Sequence, residues 1–329
     1  MTSSSAPSPR PELPASPRHV HLTAIAGVGM ASLAGMLRAG GYDVTGSDQA
    51  IYPPMSDVLA NLGIAVREGY RAENLEPRPD LVIVGNAMSR GNPEVEAMLA
   101  AGIPYCSMPE ALMRFFMQPR KRAVVVGTHG KTTTSAMLSW VLHETGGDPS
   151  FMVGGASRNF PQNFRLGAGP WFVAEGDEYD TAFFDKGPKF LHYDPDALLL
   201  NAIEFDHADI YRDLDHVKSA FRTLIARLRP SAVFAACADF PEVRNVVAAT
   251  GREAVFFGNG PGATWHAEGL RDDGSSTRFT IVGPGVRRDA VLPLPGAMNV
   301  ANAIGVVTLT SLMNIPLDGV IAALATFRG

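Results

Sequence analysis

One glycine-rich segment restricts the possible folds of this chain more than any other feature. It reads Gly127-Thr128-His129-Gly130-Lys131-Thr132-Thr133-Thr134. It follows an apolar run, Ala123–Val126, and precedes a helical pattern of apolar residues that includes Leu138 and Val141. Glycines let the backbone approach an anion, and the amides of a helix N-terminus point toward it. The sequence therefore predicts a strand, a phosphate-binding loop and a helix, in that order.

The residue types in this loop indicate a nucleoside triphosphate. Lys131 is suited to neutralise phosphate charge, and the hydroxyl of Thr132 is suited to hold Mg²⁺. The common pattern has four residues between its glycines, whereas two separate Gly127 from Gly130, so a plain glycine turn is the alternative. The predicted phosphate contacts are Gly127, Thr128, His129, Gly130, Lys131, Thr132 and Thr133.

Polar clusters follow two further apolar runs. Glu175–Asp180 comes straight after Trp171–Ala174, and Asn201–Asp209 comes after Ala197–Leu200. The carboxyl ends of parallel strands meet at one edge of a sheet, where ligands bind. We expect Glu175 to hold Mg²⁺ through its oxygens.

His207, in the second cluster, is expected to hold a second cation or to orient a carboxylate. A solvated acidic loop and a structural histidine are the alternatives. Taken together, the three clusters predict a phosphoryl-transfer site with metal.

The first third of the chain carries a second, weaker signal. Gly27-Val28-Gly29-Met30 follows a strand-like run, and Asp48 comes about 20 residues later, as in a dinucleotide fingerprint. Ser32 stands where the third glycine is expected, so a tight turn, a nicotinamide cofactor and a UDP-sugar all remain open. The predicted ligand contacts are Gly27, Gly29, Met30, Ser47, Asp48, Asn86 and Arg90.

Strands that alternate with helices, over 329 residues, predict an α/β protein of two domains. Residues 1–18, rich in Ser, Pro and Ala, are expected to be a disordered leader. Residues 19–118 are expected to form a Rossmann-like parallel-sheet domain. Residues 119–329, after a polar hinge at Pro119–Arg122, are expected to form a P-loop ATPase-like α/β domain. Antiparallel β structure is predicted between Thr264 and Leu294.

Charge and composition exclude several classes of protein. A formal net charge of −5 argues against nucleic acid as a partner. No apolar run is long enough to span a membrane, and the N-terminus lacks the apolar core of a signal peptide. Two distant cysteines do not make a disulfide framework, so we expect a cytoplasmic protein. The oligomeric state is not predicted.

The phosphate loop and the Gly27-Val28-Gly29-Met30 segment together resemble the Mur ligase family. The runs Glu175-Gly176-Asp177-Glu178-Tyr179-Asp180-Thr181-Ala182-Phe183-Phe184-Asp185-Lys186 and Asn201–Ile210 resemble those of its tripeptide-adding members. The resemblance implies an ATP-dependent amide ligation with Mg²⁺. In that reaction the carboxylate of UDP-N-acetylmuramate becomes an acyl phosphate, and the amine of a murein tripeptide displaces phosphate. The alternatives are L-alanine as the amine, and a non-catalytic nucleotide-binding module.

The resemblance also implies roles for single residues. Lys131 contacts phosphates, Thr132 and Glu175 hold Mg²⁺, and His207 serves a second Mg²⁺. The family often has Gly-Arg-His-Asn near adenine, where this chain reads Gly296-Ala297-Met298-Asn299, so Asn299 and Asn302 are the adenine candidates. Family members carry a further C-terminal domain that this chain is expected to lack. The chain is therefore expected to bind ATP but to ligate poorly.

Overall fold

A computed structural model describes residues 10–205 and 211–329. The chain divides into two compact units. The first comprises the residues up to Leu112 together with Thr181–Lys186, and the second comprises Met113–Asp180 and Gly187–Gly329. This division falls a few residues before the boundary expected from the sequence, and the sequence pattern did not indicate that Thr181–Lys186 groups with the first unit. Residues 10–18 of the expected leader are described, and Arg10 there pairs with Glu110 at 3.1 Å.

The first unit is a five-stranded parallel sheet with helices. Its strands are β1 His19–Thr23, β2 Asp43–Asp48, β3 Val66–Glu68, β4 Leu81–Val84 and β5 Tyr105–Ser107. Its helices are α1 Val28–Ala39, α2 Met55–Asn61, α3 Pro93–Ala100 and α4 Met108–Leu112, with a 3-10 turn at Ala72–Leu75. The strand order is β3-β2-β1-β4-β5, and every described pairing is parallel. This order matches five of the six strands in the Rossmann order 3-2-1-4-5-6, in agreement with the Rossmann-like sheet predicted from the sequence.

The second unit contains a seven-stranded sheet and a three-stranded sheet, and a short two-stranded hairpin includes the segment Thr181–Lys186 that groups with the first unit. The strands are β6 Lys121–Val126, β7 Ser150–Met152, β8 Phe164–Arg165, β9 Trp171–Gly176, β10 Asp180–Ala182, β11 Asp185–Pro188, β12 Ala197–Leu200, β13 Val233–Cys237, β14 Val255–Phe257, β15 His266–Asp272, β16 Thr277–Gly283 and β17 Val286–Leu292. The helices are α5 Lys131–Glu144, α6 Leu214–Ala226, α7 Pro241–Thr250, α8 Ala297–Leu312 and α9 Leu317–Leu324, with shorter helical turns at Met113–Met117 and Lys189–His192.

The large sheet has the order β14-β13-β12-β6-β9-β7-β8, with β8 antiparallel to its neighbour. Its central strands are buried on both faces, which explains their continuous apolar sequences. Val126 at the end of β6 lies in register with Leu200 of β12 on one side and Gly176 of β9 on the other. The loops that follow β6, β12 and β9 therefore leave the sheet side by side at one edge.

The α/β class and the mixed second domain are confirmed, and the antiparallel segment is the meander of β15, β16 and β17. Two local predictions were wrong. Lys121 and Arg122 belong to β6 rather than to a hinge, because the Arg122 backbone and guanidinium both bind Asp196 at the base of the sheet. Glu175 lies inside β9 rather than after it, because pairing with β6 continues to Gly176. In the described part of the chain, no helix is both long and apolar enough to cross a bilayer.

Candidate functional site

The loop between β6 and α5 has the backbone geometry of an anion cradle. Gly127 has φ = 134° and Gly130 has φ = 76°, both in the region that favours glycine. A Cβ at Gly127 would lie 2.8 Å from the backbone nitrogen of Ala202, so a side chain has no room there. The amide of Thr128 donates to the carbonyl of Ala202 at 2.9 Å, which fixes the loop against the end of β12. The loop therefore has one defined conformation that ends at the N-terminus of α5.

The first residue of α5 is Lys131, the lysine of the loop. Lys131 Nζ donates to the Gly127 carbonyl at 2.7 Å and lies 2.9 Å from Glu178 Oε2. The side chain of Lys131 is 12% exposed and that of Glu178 is 1% exposed, so this ion pair is largely shielded from water. The pair joins the phosphate loop to the segment after β9.

The side-chain oxygens of Thr132 and Glu175 meet beside this pair. Thr132 Oγ1 donates to Glu175 Oε1 at 3.0 Å, and the Gly154 amide donates to Glu175 Oε2 at 2.8 Å. Burial raises the pKa of Glu175 above its ordinary value, and these two hydrogen bonds oppose that effect. Hydroxyl and carboxylate oxygens are the donors that Mg²⁺ prefers, and this ion takes few protein ligands because it keeps several waters. Thr132 and Glu175 thus fit the predicted ion. Among the described residues, no three or more Asp, Glu, His or Cys side chains group together in a way that could hold a metal ion, at this site or at any other.

The third predicted cluster also reaches the loop. The side-chain amide of Asn201 donates to Thr134 Oγ1 at 2.9 Å, and the backbone amide of Glu204 donates to Thr128 Oγ1 at 3.1 Å. His129 Nε2 lies 3.3 Å from Glu204 Oε2, and both side chains are about half exposed. The described part of this segment therefore forms a wall of the same site. His207, the predicted ligand of a second cation, lies outside the described residues.

A cavity of about 260 Å³ opens beside the loop, between the ends of β12, β13 and β14 and the start of α8. Its lining includes His129, Gly130, Phe240, Phe257, Met298 and Asn302. A mostly apolar cavity with a few polar groups is typical of a small-molecule site.

The two adenine candidates are placed differently with respect to this cavity. Asn302 lines the cavity. Asn299 does not line it, and its side-chain amide donates to the Pro295 carbonyl at 2.7 Å. Met298 is 76% exposed at the cavity mouth.

In the first unit, the predicted ligand contacts lie at the carboxyl ends of three strands, after β1, at the end of β2 and after β4. Asp48 Oδ2 accepts from the Ala26 amide at 2.8 Å and so holds the turn before α1, where Gly27 is the N-cap and Gly29 lies in the first helical turn. Met30 is buried, and so is Ser47, whose hydroxyl donates to Glu94 Oε1 at 2.6 Å. These two side chains therefore lie beneath the surface of the predicted site.

The two remaining predicted contacts, Asn86 and Arg90, are exposed after β4. The guanidinium of Arg90 binds Glu96 through two hydrogen bonds, of 2.8 and 3.0 Å. Arg90 is therefore already paired on the surface in this structure.

Three residues emerge only from the structure. Glu178 is one of four acids in the run Glu175–Asp180, and their spacing does not show which one faces Lys131. Glu94 is fully buried beneath Ser47, although its sequence context is an ordinary first helical turn. Gly154 stands in the run Gly154-Gly155, which reads as an ordinary glycine-rich loop, yet a Cβ there would lie 2.7 Å from Glu175 Oε2.

Two family models match the chain. Residues 19–119 match the catalytic domain of the Mur ligase family, and residues 125–310 match the Mur ligase middle domain. The second match covers more than half of the chain, and it contains the loop, Glu175 and the lining of the cavity.

Individual relatives agree with this assignment. A UDP-N-acetylmuramate–L-alanyl-γ-D-glutamyl-meso-2,6-diaminoheptandioate ligase of Escherichia coli K12 is 50% identical over 206 residues, which are 63% of this chain and 45% of the relative. The Haemophilus influenzae protein of the same name is 38% identical over 94% of this chain and 68% of its own length. The aligned part thus spans about half to two thirds of these relatives.

A solved structure of the corresponding Neisseria meningitides ligase superposes with a TM-score of 0.88 at 34% identity, over 95% of this chain and 99% of that one. This structure resembles the chain in sequence as well as in fold. The chain belongs to the Mur ligase family.

Proposed function

We propose that this protein acts in the ATP-dependent joining of the murein tripeptide L-alanyl-γ-D-glutamyl-meso-diaminopimelate to UDP-N-acetylmuramate. The observation that carries the proposal is the convergence of Lys131, Thr132 and Glu175 at the carboxyl ends of β6 and β9. The names of the two relatives described above support the choice of the tripeptide as the incoming amine. L-alanine is the second candidate, which the family allows.

The nucleotide is assigned to the loop and the neighbouring cavity. The phosphates lie on the amides of Gly127–Lys131 and at the N-terminus of α5, where the backbone dipoles favour negative charge. Lys131 supplies a positive charge at the same place. The base enters the cavity, where Phe257 and Met298 offer apolar contact and the Asn302 amide offers a donor and an acceptor.

A bound Mg²⁺ would neutralise the charge of the triphosphate and of the reacting carboxylate, which otherwise repel each other. Thr132 and Glu175 are the described residues that would hold it, and His207 remains the predicted ligand for a second ion. The protein supplies no nucleophile in this scheme. Its contribution is to position the two anions and to neutralise their charge.

UDP-N-acetylmuramate is assigned to the first unit, at the turn Gly27–Met30. The Asp48 carboxylate fixes this turn through the Ala26 amide, so the N-terminus of α1 is presented in one geometry to a diphosphate. The proposed compartment is the cytoplasm, because ATP is the proposed co-substrate and both cysteines are free thiols.

Calorimetric titration with ATP and Mg²⁺ tests the nucleotide site. We expect saturable binding, and we expect Lys131→Ala to weaken it by at least about 100-fold, since a buried charged partner of the phosphates is removed. Lys218→Ala is the matched control, because Lys218 is also ion-paired but lies on α6. Equal ATP affinity of the wild type and Lys131→Ala would refute the site.

The amine is tested separately, by ADP release in the presence of UDP-N-acetylmuramate and equal concentrations of the tripeptide or L-alanine. We expect faster release with the tripeptide. Faster release with L-alanine would overturn the tripeptide assignment and favour the second candidate.

A further inference from the structure

Lys131 is engaged by protein acceptors. Its Nζ lies 3.0 and 2.9 Å from the two carboxylate oxygens of Glu178, and it also donates to the carbonyl of Gly127 at 2.7 Å. These contacts turn the ammonium back toward its own loop. A lysine that neutralises nucleotide phosphates has to point into the cradle, so these contacts compete with the proposed ligand.

Glu178 is itself held in place. Its backbone carbonyl accepts from the Tyr211 hydroxyl at 2.7 Å, and the flanking carbonyls of Asp177 and Tyr179 accept from the Phe190 and Lys189 amides at 3.3 and 3.2 Å. With its side chain 1% exposed, the carboxylate is poorly placed to follow a departing lysine into water. When phosphates attract Lys131, the ammonium is therefore the group that moves.

The negative charge of Glu178 affects how the loop binds phosphates. A buried carboxylate beside the loop repels a polyphosphate, and it also holds the Lys131 ammonium that would otherwise neutralise the polyphosphate. Both effects lower nucleotide affinity. When phosphates are absent, the same carboxylate prevents the ammonium from being buried without a counter-charge.

We propose that Glu178 is a positioning residue that holds Lys131 in a retracted position and sets the affinity of the loop for nucleotide phosphates. The proposal rests on the proposed ATP site. It assigns to Glu178 a role distinct from that of Glu175, although the two carboxylates are three positions apart in the sequence.

The test compares Glu178→Gln with the wild type in calorimetric titrations of ATP and of AMP. We expect the affinity for ATP to rise about tenfold, because an amide neither repels the phosphates nor competes strongly for the ammonium. We expect the affinity for AMP to stay within about twofold, because AMP lacks the β- and γ-phosphates that the loop lysine contacts. A purely structural role for Glu178 predicts instead that both nucleotides bind more weakly.

Asp177→Asn is the matched control. It removes one negative charge from the same loop, but its carboxylate binds Lys189 at 2.6 Å rather than Lys131. We expect its ATP affinity to change less than about threefold. An equal gain in both variants would show a general charge effect and would overturn the role of the Lys131 contact.

The outcomes separate this inference from the proposed function. A wild type that binds no ATP refutes the nucleotide site itself. A wild type that binds ATP, beside a folded Glu178→Gln variant with equal or lower affinity, refutes only the role of Glu178. If Glu178→Gln does not fold, Glu178→Asp provides the second measurement. It keeps the charge but shortens the reach to Lys131, and a smaller gain in ATP affinity is expected; no gain would contradict the proposal.

Discussion

Thr132 Oγ1 donates a 3.0 Å hydrogen bond to Glu175 Oε1, and so joins two side chains that are 43 positions apart in the sequence. Thr132 lies in the first turn of α5, directly after the β6 loop, and Glu175 lies near the end of β9, the neighbouring strand in the sheet. The parallel pairing of β6 with β9 produces this meeting. The two oxygens are therefore positioned by the sheet rather than by local loop structure.

The first prediction concerns the metal. Mg²⁺ is expected to raise the affinity for ATP. Thr132→Val and Glu175→Gln should each reduce this Mg²⁺-dependent gain in affinity at least about tenfold, because each deletes one proposed ligand. Titrations with Mg²⁺ and with EDTA measure this effect. Thr145→Val, at the other end of α5, is the control and should leave the Mg²⁺ effect intact. The ligand assignment is wrong if either site variant keeps the full Mg²⁺ effect.

The second prediction concerns Gly154. Its φ is not in the positive region, but a Cβ there would lie 2.7 and 3.0 Å from the two Glu175 oxygens. Gly154→Ala should therefore displace the Glu175 carboxylate and weaken Mg²⁺-dependent ATP binding about tenfold, with little change in melting temperature.

Gly319→Ala on α9 controls for the added methyl group, because the nearest atom there is the Thr145 side chain. An unchanged Mg²⁺ dependence in Gly154→Ala would show that the carboxylate can move without consequence.

The third prediction concerns Met298. A thioether side chain that is 76% exposed at the mouth of an apolar cavity is expected to pack on a bound base. Met298→Ala should weaken ATP binding by about 1 kcal/mol, and it should leave binding of inorganic triphosphate unchanged. Leu270→Ala, another exposed apolar residue, is the control and lies on β15. Equal losses for ATP and triphosphate would place Met298 outside the base pocket.

The fourth prediction concerns pH and the first unit. Burial alone would raise the pKa of Glu94, but hydrogen bonds from His21, Ser47 and Asn74 outweigh it and lower the pKa below its ordinary value. A lowered pKa in the folded state stabilises the fold above the ordinary glutamate pKa, and this contribution is lost as the pH falls below about 4.5.

At pH 7 we expect Glu94→Gln to be less stable than the wild type by about 1–3 kcal/mol. This difference in stability between Glu94→Gln and the wild type should shrink as the pH falls below the ordinary glutamate pKa. Urea unfolding across this pH range measures it, and Glu73→Gln, with an exposed side chain, should follow the wild type. A Glu94→Gln deficit that does not depend on pH would contradict the role of the buried charge.

Much of this protein follows from its sequence. The alternation of strands and helices, the loop Gly127–Thr134 and the antiparallel segment near β16 depend on local periodicity and on glycine conformation, which neighbouring residues encode. The placing of Glu175 and Asn201 at the carboxyl ends of the two strands that flank β6 also followed, because parallel connections bring carboxyl ends to one edge.

Other features depend on register and packing between distant segments. Which acid faces Lys131, whether Asn302 or Asn299 lines the cavity, and where Glu94 finds its partners are decided by side chains that meet across the sheet and its helices. A shift of one residue in a strand reverses the side to which each side chain points, and spacing in the sequence does not report that choice. The sequence alone thus determined the kinds of chemistry present at this edge, and the tertiary structure decided which side chains bind one another, because pairing depends on distances that only the folded chain sets.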